Sequence, residues 1–293
     1  MEHERLDAGI RQQYVKCARL GKALIDNFAE ENIHAFRVGV KRLRALLRLA
    51  ASAEHSDITP RLPRNLRVYY HMTGIIRTLQ LQKKALEEVA VRLHQGAPAN
   101  CLALLDDRIG STKRMIGEYL RIEEPWGHRL GRWAHPVTDV MAIAAEEAFI
   151  AGKITALGKK QGVALPDDEQ LHALRKDIKD LLYAWPYLHG RIVEHAQEGK
   201  GLPGQKVLET CAGLLGDYHD MVLQLSLLQD KAFLLVTCPQ SSKFLEAAQQ
   251  CWLQDKLTLQ DKLKAQLFHP GAAGENPLAP SNLNAVSYEL HID

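Results

Sequence analysis

Residues 33–44 read IHAFRVGVKRLR, and residues 171–182 read LHALRKDIKDLL. Aligned without a gap, Ile33, His34, Phe36, Arg37, Val40, Lys41 and Leu43 face Leu171, His172, Leu174, Arg175, Ile178, Lys179 and Leu181, an offset of 138 residues. A second match follows in the same order. Thr73-Gly74-Ile75-Ile76-Arg77 faces Leu215-Gly216-Asp217-Tyr218-His219 at an offset of 142. Two matches in one order, at nearly one offset, indicate an internal duplication.

Each copy reads as a helix with two stripes. A helical residue turns by about 100°, so His34, Arg37, Lys41, Arg44 and Arg48, stepping by three and four, share a face about 80° wide and about 21 Å long. Phe36, Val40, Leu43 and Leu47 form a second, apolar stripe fit for a core. In the second copy His172, Arg175 and Lys179 take the basic stripe, and Leu174, Ile178, Leu181 and Trp185 the apolar one. Like charges three or four residues apart repel by a few tenths of a kcal/mol per pair. No acid lies between residues 34 and 48 to offset them. A single basic run on an amphipathic helix is usually a solvated face. Solubility does not require His, Arg and Lys at the same spacings twice, so the duplication favours a ligand.

Working outward, helical periodicity predicts segments at about 4–28, 31–53, 61–95, 99–122, 137–159, 167–189, 203–236 and 241–267. Gly96-Ala97-Pro98, the stretch from Glu124 to Pro136, Gly162–Pro166 and Gly199–Gly204 punctuate them, and Asp167 and Asp168 are candidate N-caps. No long run alternates with period two. Long helices with short connections suggest up-and-down bundles. The expected fold is all-α: two four-helix bundles, residues 1–124 and 137–268, related by duplication, with a loose tail over 269–293 rich in Pro, Gly, Asn and Ala.

Charge is concentrated rather than large. The chain of 293 residues carries a formal net charge of +2, yet residues 32–86 hold eleven Lys/Arg against Glu54 and Asp57. A patch of this kind points to a local anionic ligand. The five cysteines, at 17, 101, 211, 238 and 251, are odd in number and form no C-x-x-C pair. Neither a disulfide framework nor a zinc site is expected, and scattered thiols fit a reducing compartment. The N-terminus has no apolar signal region, and no uncharged stretch approaches the ~20 residues that span a bilayer. A cytoplasmic protein is expected, with no membrane partner.

The H-x-x-R-x-x-x-K helix occurring twice, each time followed some forty residues later by a stretch of the Leu215-Gly216-Asp217-Tyr218-His219-Asp220 kind, resembles the CHAD family, the conserved-histidine α-helical domains. The resemblance spans residues 5–268 as one unit. It implies two four-helix bundles about a pseudo-twofold axis, basic helices lining a central cavity, and binding of inorganic polyphosphate. The implied polyphosphate-binding residues are His34, Arg37, Lys41, Arg42, Arg44, Arg48, Arg77, His172, Arg175, Lys176, Lys179 and His219. The chain departs from the family pattern at Leu182, which precedes Tyr183 where Arg is usual, at Asp177 and Asp180, and at Thr78 and Gln80, where the first copy lacks acids. These departures predict that the first half carries most of the binding.

Three readings of the residues stand side by side. A non-enzymatic polyanion-binding module matches a dense cationic stripe to polyphosphate through Arg and Lys hydrogen bonds. Nucleic-acid phosphates would meet the same cations, but no helix-turn-helix, zinc finger or aromatic stacking motif accompanies them. A phosphoryl-transfer enzyme would need paired carboxylates for Mg²⁺ and a phosphate loop. The basic faces offer neither, so no catalytic residue, cofactor or metal is expected. Asp217 and Asp220, one turn apart, are read as tethers for the basic residues rather than metal ligands. A remaining alternative is an accessory or regulatory domain for a phosphate-processing enzyme.

Overall fold

The computed structural model describes residues 2–52, 62–126, 139–158, 166–188, 204–230, 233 and 238–265. Among these the chain forms eight α-helices: α1 (Glu2–Asp26), α2 (Glu30–Ala51), α3 (Arg64–Arg92), α4 (Ala99–Ile122), α5 (Asp139–Gly158), α6 (Asp168–Ala184), α7 (Gln205–Leu227) and α8 (Pro239–Leu263). There is no strand among the described residues. The expected tail at 269–293 and most of the linker expected between 123 and 136 lie outside them.

Local chemistry sets the helix ends. Asp167 caps α6 by a capping box: its carboxylate accepts from Gln170 N at 2.7 Å, and Gln170 Oε1 accepts from Asp167 N at 3.1 Å. Asp168 is the first helical residue instead, and ties to Tyr218 and Lys256. The periodicity ran α6 on to residue 189, but Pro186 cannot donate into the α-helical ladder, and Trp185–Tyr187 closes as a 3₁₀ turn. α7 stops at Leu227, short of the expected 236, with the turn closed by Asp230 N donating to Leu227 O at 3.1 Å. Just past α3 and its cap Leu93 stands His94, whose φ of 53° lies in the left-handed region. Gln95 N reaches Ala90 O at 3.0 Å and His94 N reaches Val91 O at 3.1 Å. That is a Schellman ending, with His where glycine is commoner.

Consecutive helices pack in the same order in both halves. α1 lies on α2, α2 on α3 and α3 on α4; α5 lies on α6, α6 on α7 and α7 on α8. α2 against α6 and α3 against α7 join the halves. The apolar stripes predicted on α2 and α6 are the ones buried: Phe36, Val40, Leu43 and Leu47 in one half, Leu174, Ile178 and Leu181 in the other. Trp185 is half-buried and packs at the edge.

The first half closes over an aromatic cluster. Phe36, Tyr69 and Trp126 meet edge to face, with ring centroids 5.3, 5.9 and 5.5 Å apart. Truncating one such ring to Ala typically costs about 3–5 kcal/mol. Tyr69 Oη donates to Gly21 O at 2.9 Å. A Cβ on Gly21 would lie 1.9 Å from Trp126, inside the indole, so only glycine lets the ring seat there. No helix among the described residues is long and apolar enough to cross a membrane. Packing the apolar stripes inward rotates the basic stripes of α2 and α6 toward α3 and α7.

A candidate polyanion-binding cavity

A cavity of about 670 Å³ lies among α2, α3, α6 and α7, and all twelve residues singled out in the sequence line it. His34, Arg37, Lys41, Arg42, Arg44 and Arg48 come from α2, Arg77 from α3, His172, Arg175, Lys176 and Lys179 from α6, and His219 from α7. The repeat therefore delivers both basic stripes to one space. Arg42, Arg44, Lys176 and His34 are exposed, and Lys41, Arg175, Lys179 and His219 are half-buried.

Lys41 is the focus of the charge. Burial, then Arg175, Arg37 and Lys179, push its ammonium down to about 8, with Asp220 partly offsetting them. Two of those three cations come from the other half. His219 and His172 stack with ring centroids 4.5 Å apart. Burial, then His172, Arg175 and Lys41, hold the His219 imidazolium down to about 4. Burial also lowers His172, assisted by Lys176, Arg175 and Lys41. His34 is lowered by burial and then by Arg77 and Lys41. Arg175 Nε and His172 Nδ1 are buried and make no hydrogen bond among the described residues. Buried polar groups left so are unusual and costly.

The glycines of the second sequence match seat the arginines of the first. Arg37 lies across α3: its Nη1 donates to Tyr70 O at 2.8 Å, and its guanidinium stands 4.4 Å from the centre of the Tyr70 ring. A Cβ on Gly74 would come within 2.5 Å of that Nη1. Arg175 lies over Gly216 in the same way but more loosely, 3.8 Å from the position of a Cβ. The two repeat signatures are thus two sides of one contact. The sequence displayed both glycines at one offset but not this role.

Several cations are less free than α2 alone suggested. Arg48 Nη1 donates to Asp180 Oδ1 at 2.7 Å. Asp180 is 7% exposed and also accepts from Lys153 Nζ at 2.9 Å, while Lys153 reaches Asp177 at 2.9 Å. Arg77 is paired with Glu30. The absence of acids between residues 34 and 48 thus did not mean an unbalanced stripe, because other helices supply the carboxylates. Tyr70, Tyr183 and Asp220 also line the cavity and were not among the candidates. Arg42 stands over the Tyr183 ring at 5.7 Å. Burial raises the Asp220 carboxyl; Arg175, Arg77 and Lys41 pull it back, against Asp217. Asp217 itself is exposed. Among the described residues, no group of three His, Cys, Asp or Glu is placed to hold a metal ion.

Residues 8–229 match the sequence profile of the CHAD domain. No curated protein matches the chain. Among solved structures, the CHAD domain from the plant Ricinus communis superposes with a TM-score of 0.60 over 90% of each chain, at 20% sequence identity. At that identity the likeness is one of fold.

Proposed function

From its membership of the CHAD domain family, to which this chain belongs, we propose that the chain binds a linear polyanion, above all inorganic polyphosphate, in its central cavity, and that it does so without chemistry. The observation that carries this reading is the convergence on Lys41. Burial, joined by cations from both halves, pushes its ammonium down to about 8. An anion placed there relieves the repulsion and supplies acceptors for Arg175 Nε and His172 Nδ1, which are buried and without a partner among the described residues. The exposed Arg42, Arg44 and Lys176 extend the track for a chain longer than the cavity. We place the protein in the cytoplasm, where its free cysteines are at home.

Nucleic acid is the weaker reading. Stacking of bases on aromatic faces supports sequence-tolerant binding of single strands. The tyrosines lining this cavity, Tyr70 and Tyr183, each already carry a guanidinium over the ring. An accessory role beside a phosphate-processing enzyme is compatible with the same site. Catalysis is disfavoured by the acids present, since Asp180 is committed to Arg48 and Lys153.

A titration of long-chain polyphosphate, duplex DNA and a phosphate monoester at one ionic strength tests the proposal. Polyphosphate is expected to bind tightest and the monoester weakest. For five or more phosphate contacts, log K against log salt should fall with a slope of magnitude about 3.5 or more, taking roughly 0.7 per contact as for single strands. A flat salt response, or DNA binding tighter than polyphosphate, would overturn it.

A further inference from the structure

The second half brings not only cations but acids to the cavity. Asp220 takes the place that Thr78 holds in the first half, and Asp180 the place of Arg42, by the offsets of 142 and 138. Both carboxylates line the cavity. Asp180 is locked between Arg48 and Lys153. Asp220 lies within the field of Arg175, Arg77 and Lys41, the cations where the two halves meet.

We propose that Asp220 is a specificity-determining residue: an internal counter-ion that excludes short phosphates, which make few contacts, from the cation cluster and so selects long polyanions. The inference rests on the polyphosphate reading and deepens it. An anion of two or three phosphates held at Lys41 and Arg175 lies in the field that Asp220 shares, and is repelled by it. A long chain also engages Arg42, Arg44 and Lys176 at the exposed mouth, and can place its charge where no carboxylate competes. A repulsive element that costs the wrong ligand more than the right one is a general route to selectivity. Its scale at a separation of several ångströms is on the order of tenfold in affinity.

The test compares pyrophosphate, tripolyphosphate and long-chain polyphosphate by calorimetric titration on the wild type, Asp220→Asn and Asp217→Asn. Asp217 is exposed and does not line the cavity. Asp220→Asn is expected to strengthen pyrophosphate and tripolyphosphate by about tenfold and long polyphosphate by about threefold or less, narrowing the preference. Asp217→Asn is expected to leave the preference unchanged. Weaker binding of all three ligands by Asp220→Asn would mean a tether that positions the cations, and equal strengthening of all three would mean generic charge; either overturns the inference and leaves polyphosphate binding standing. Failure of the wild type to bind any of the three overturns the polyphosphate reading, and the inference with it. A thermal melt of each variant without ligand separates loss of fold from loss of selectivity.

Discussion

The two halves of the molecule present the same His, Arg and Lys spacing and treat it differently. In the first half Arg37 is held by Tyr70, Arg48 by Asp180 and Arg77 by Glu30. In the second, Arg175 and His172 each keep a buried nitrogen with no partner among the described residues. Along the sequence the first half is the stronger, with an acid-free stripe of five residues, and α6 is weakened by Asp177 and Asp180. In space one of those acids neutralises a first-half cation instead, and the other serves Lys153. Charge counted along one helix is therefore not charge offered to a ligand. What matters is which helix supplies the counter-ion.

The comparison breaks most sharply at Lys41 and Arg175. If the halves share the load, Lys41→Glu and Arg175→Glu should each weaken polyphosphate binding by about thirtyfold or more, the range seen when one partner of a desolvated charge contact is lost. Arg48→Ala should cost only a few-fold, because its charge is already spent on Asp180. Titration of the three variants decides it. A loss confined to Lys41→Glu would restore the first-half dominance that the sequence suggested.

Proton linkage sharpens the same point. Lys41 has its ordinary value of 10.5 depressed to about 8 in the free cavity, and a bound polyanion should raise it again. Affinity should therefore be full below pH 8 and fall by up to tenfold per unit as pH rises from there toward the bound-state value. Lys41→Arg, charged throughout, should flatten this fall. The free protein follows the opposite sign. A depressed lysine binds fewer protons folded than unfolded, so stability should rise with pH between about 8 and 10.5. His219, held down to about 4, should do likewise between there and 6.5. Melting temperature against pH, with and without polyphosphate, measures both. An unlinked Lys41 would mean that burial and the crowding cations do not depress it.

The smallest effect distinguishes the two seats. Gly74→Ala should displace Arg37 and weaken binding several-fold, whereas Gly216→Ala, whose Cβ would sit in ordinary contact 3.8 Å from Arg175, should be close to neutral. Equal effects would mean that the halves seat their arginines alike.

Much of this was legible in the residues. The apolar and basic stripes of α2 and α6 follow from the 3.6-residue period, and burying one stripe fixes where the other faces. That is why every candidate from His34 to His219 lines one cavity. The ends of α6 and α7 were harder. The turn after Leu227 interrupts a stretch that reads as helical through it, and the 3₁₀ turn at Pro186 hides within helical spacing. The pairing of cations was not legible at all. Arg48 and Asp180 stand 132 residues apart, Arg77 and Glu30 47 apart, and no local spacing foretells such contacts. Asp220 was noticed, but its place in the wall depends on how α7 meets α3.

The Arg48–Asp180 contact also has a meaning in time. A ribosome adding about 5–20 residues per second delivers Arg48 roughly 7 to 26 seconds before the Asp180 that neutralises it, 132 residues later. For that interval the nascent chain exposes a cationic helix whose carboxylate has not yet been made, and a polyanion nearby meets the emerging helix before its own partner does.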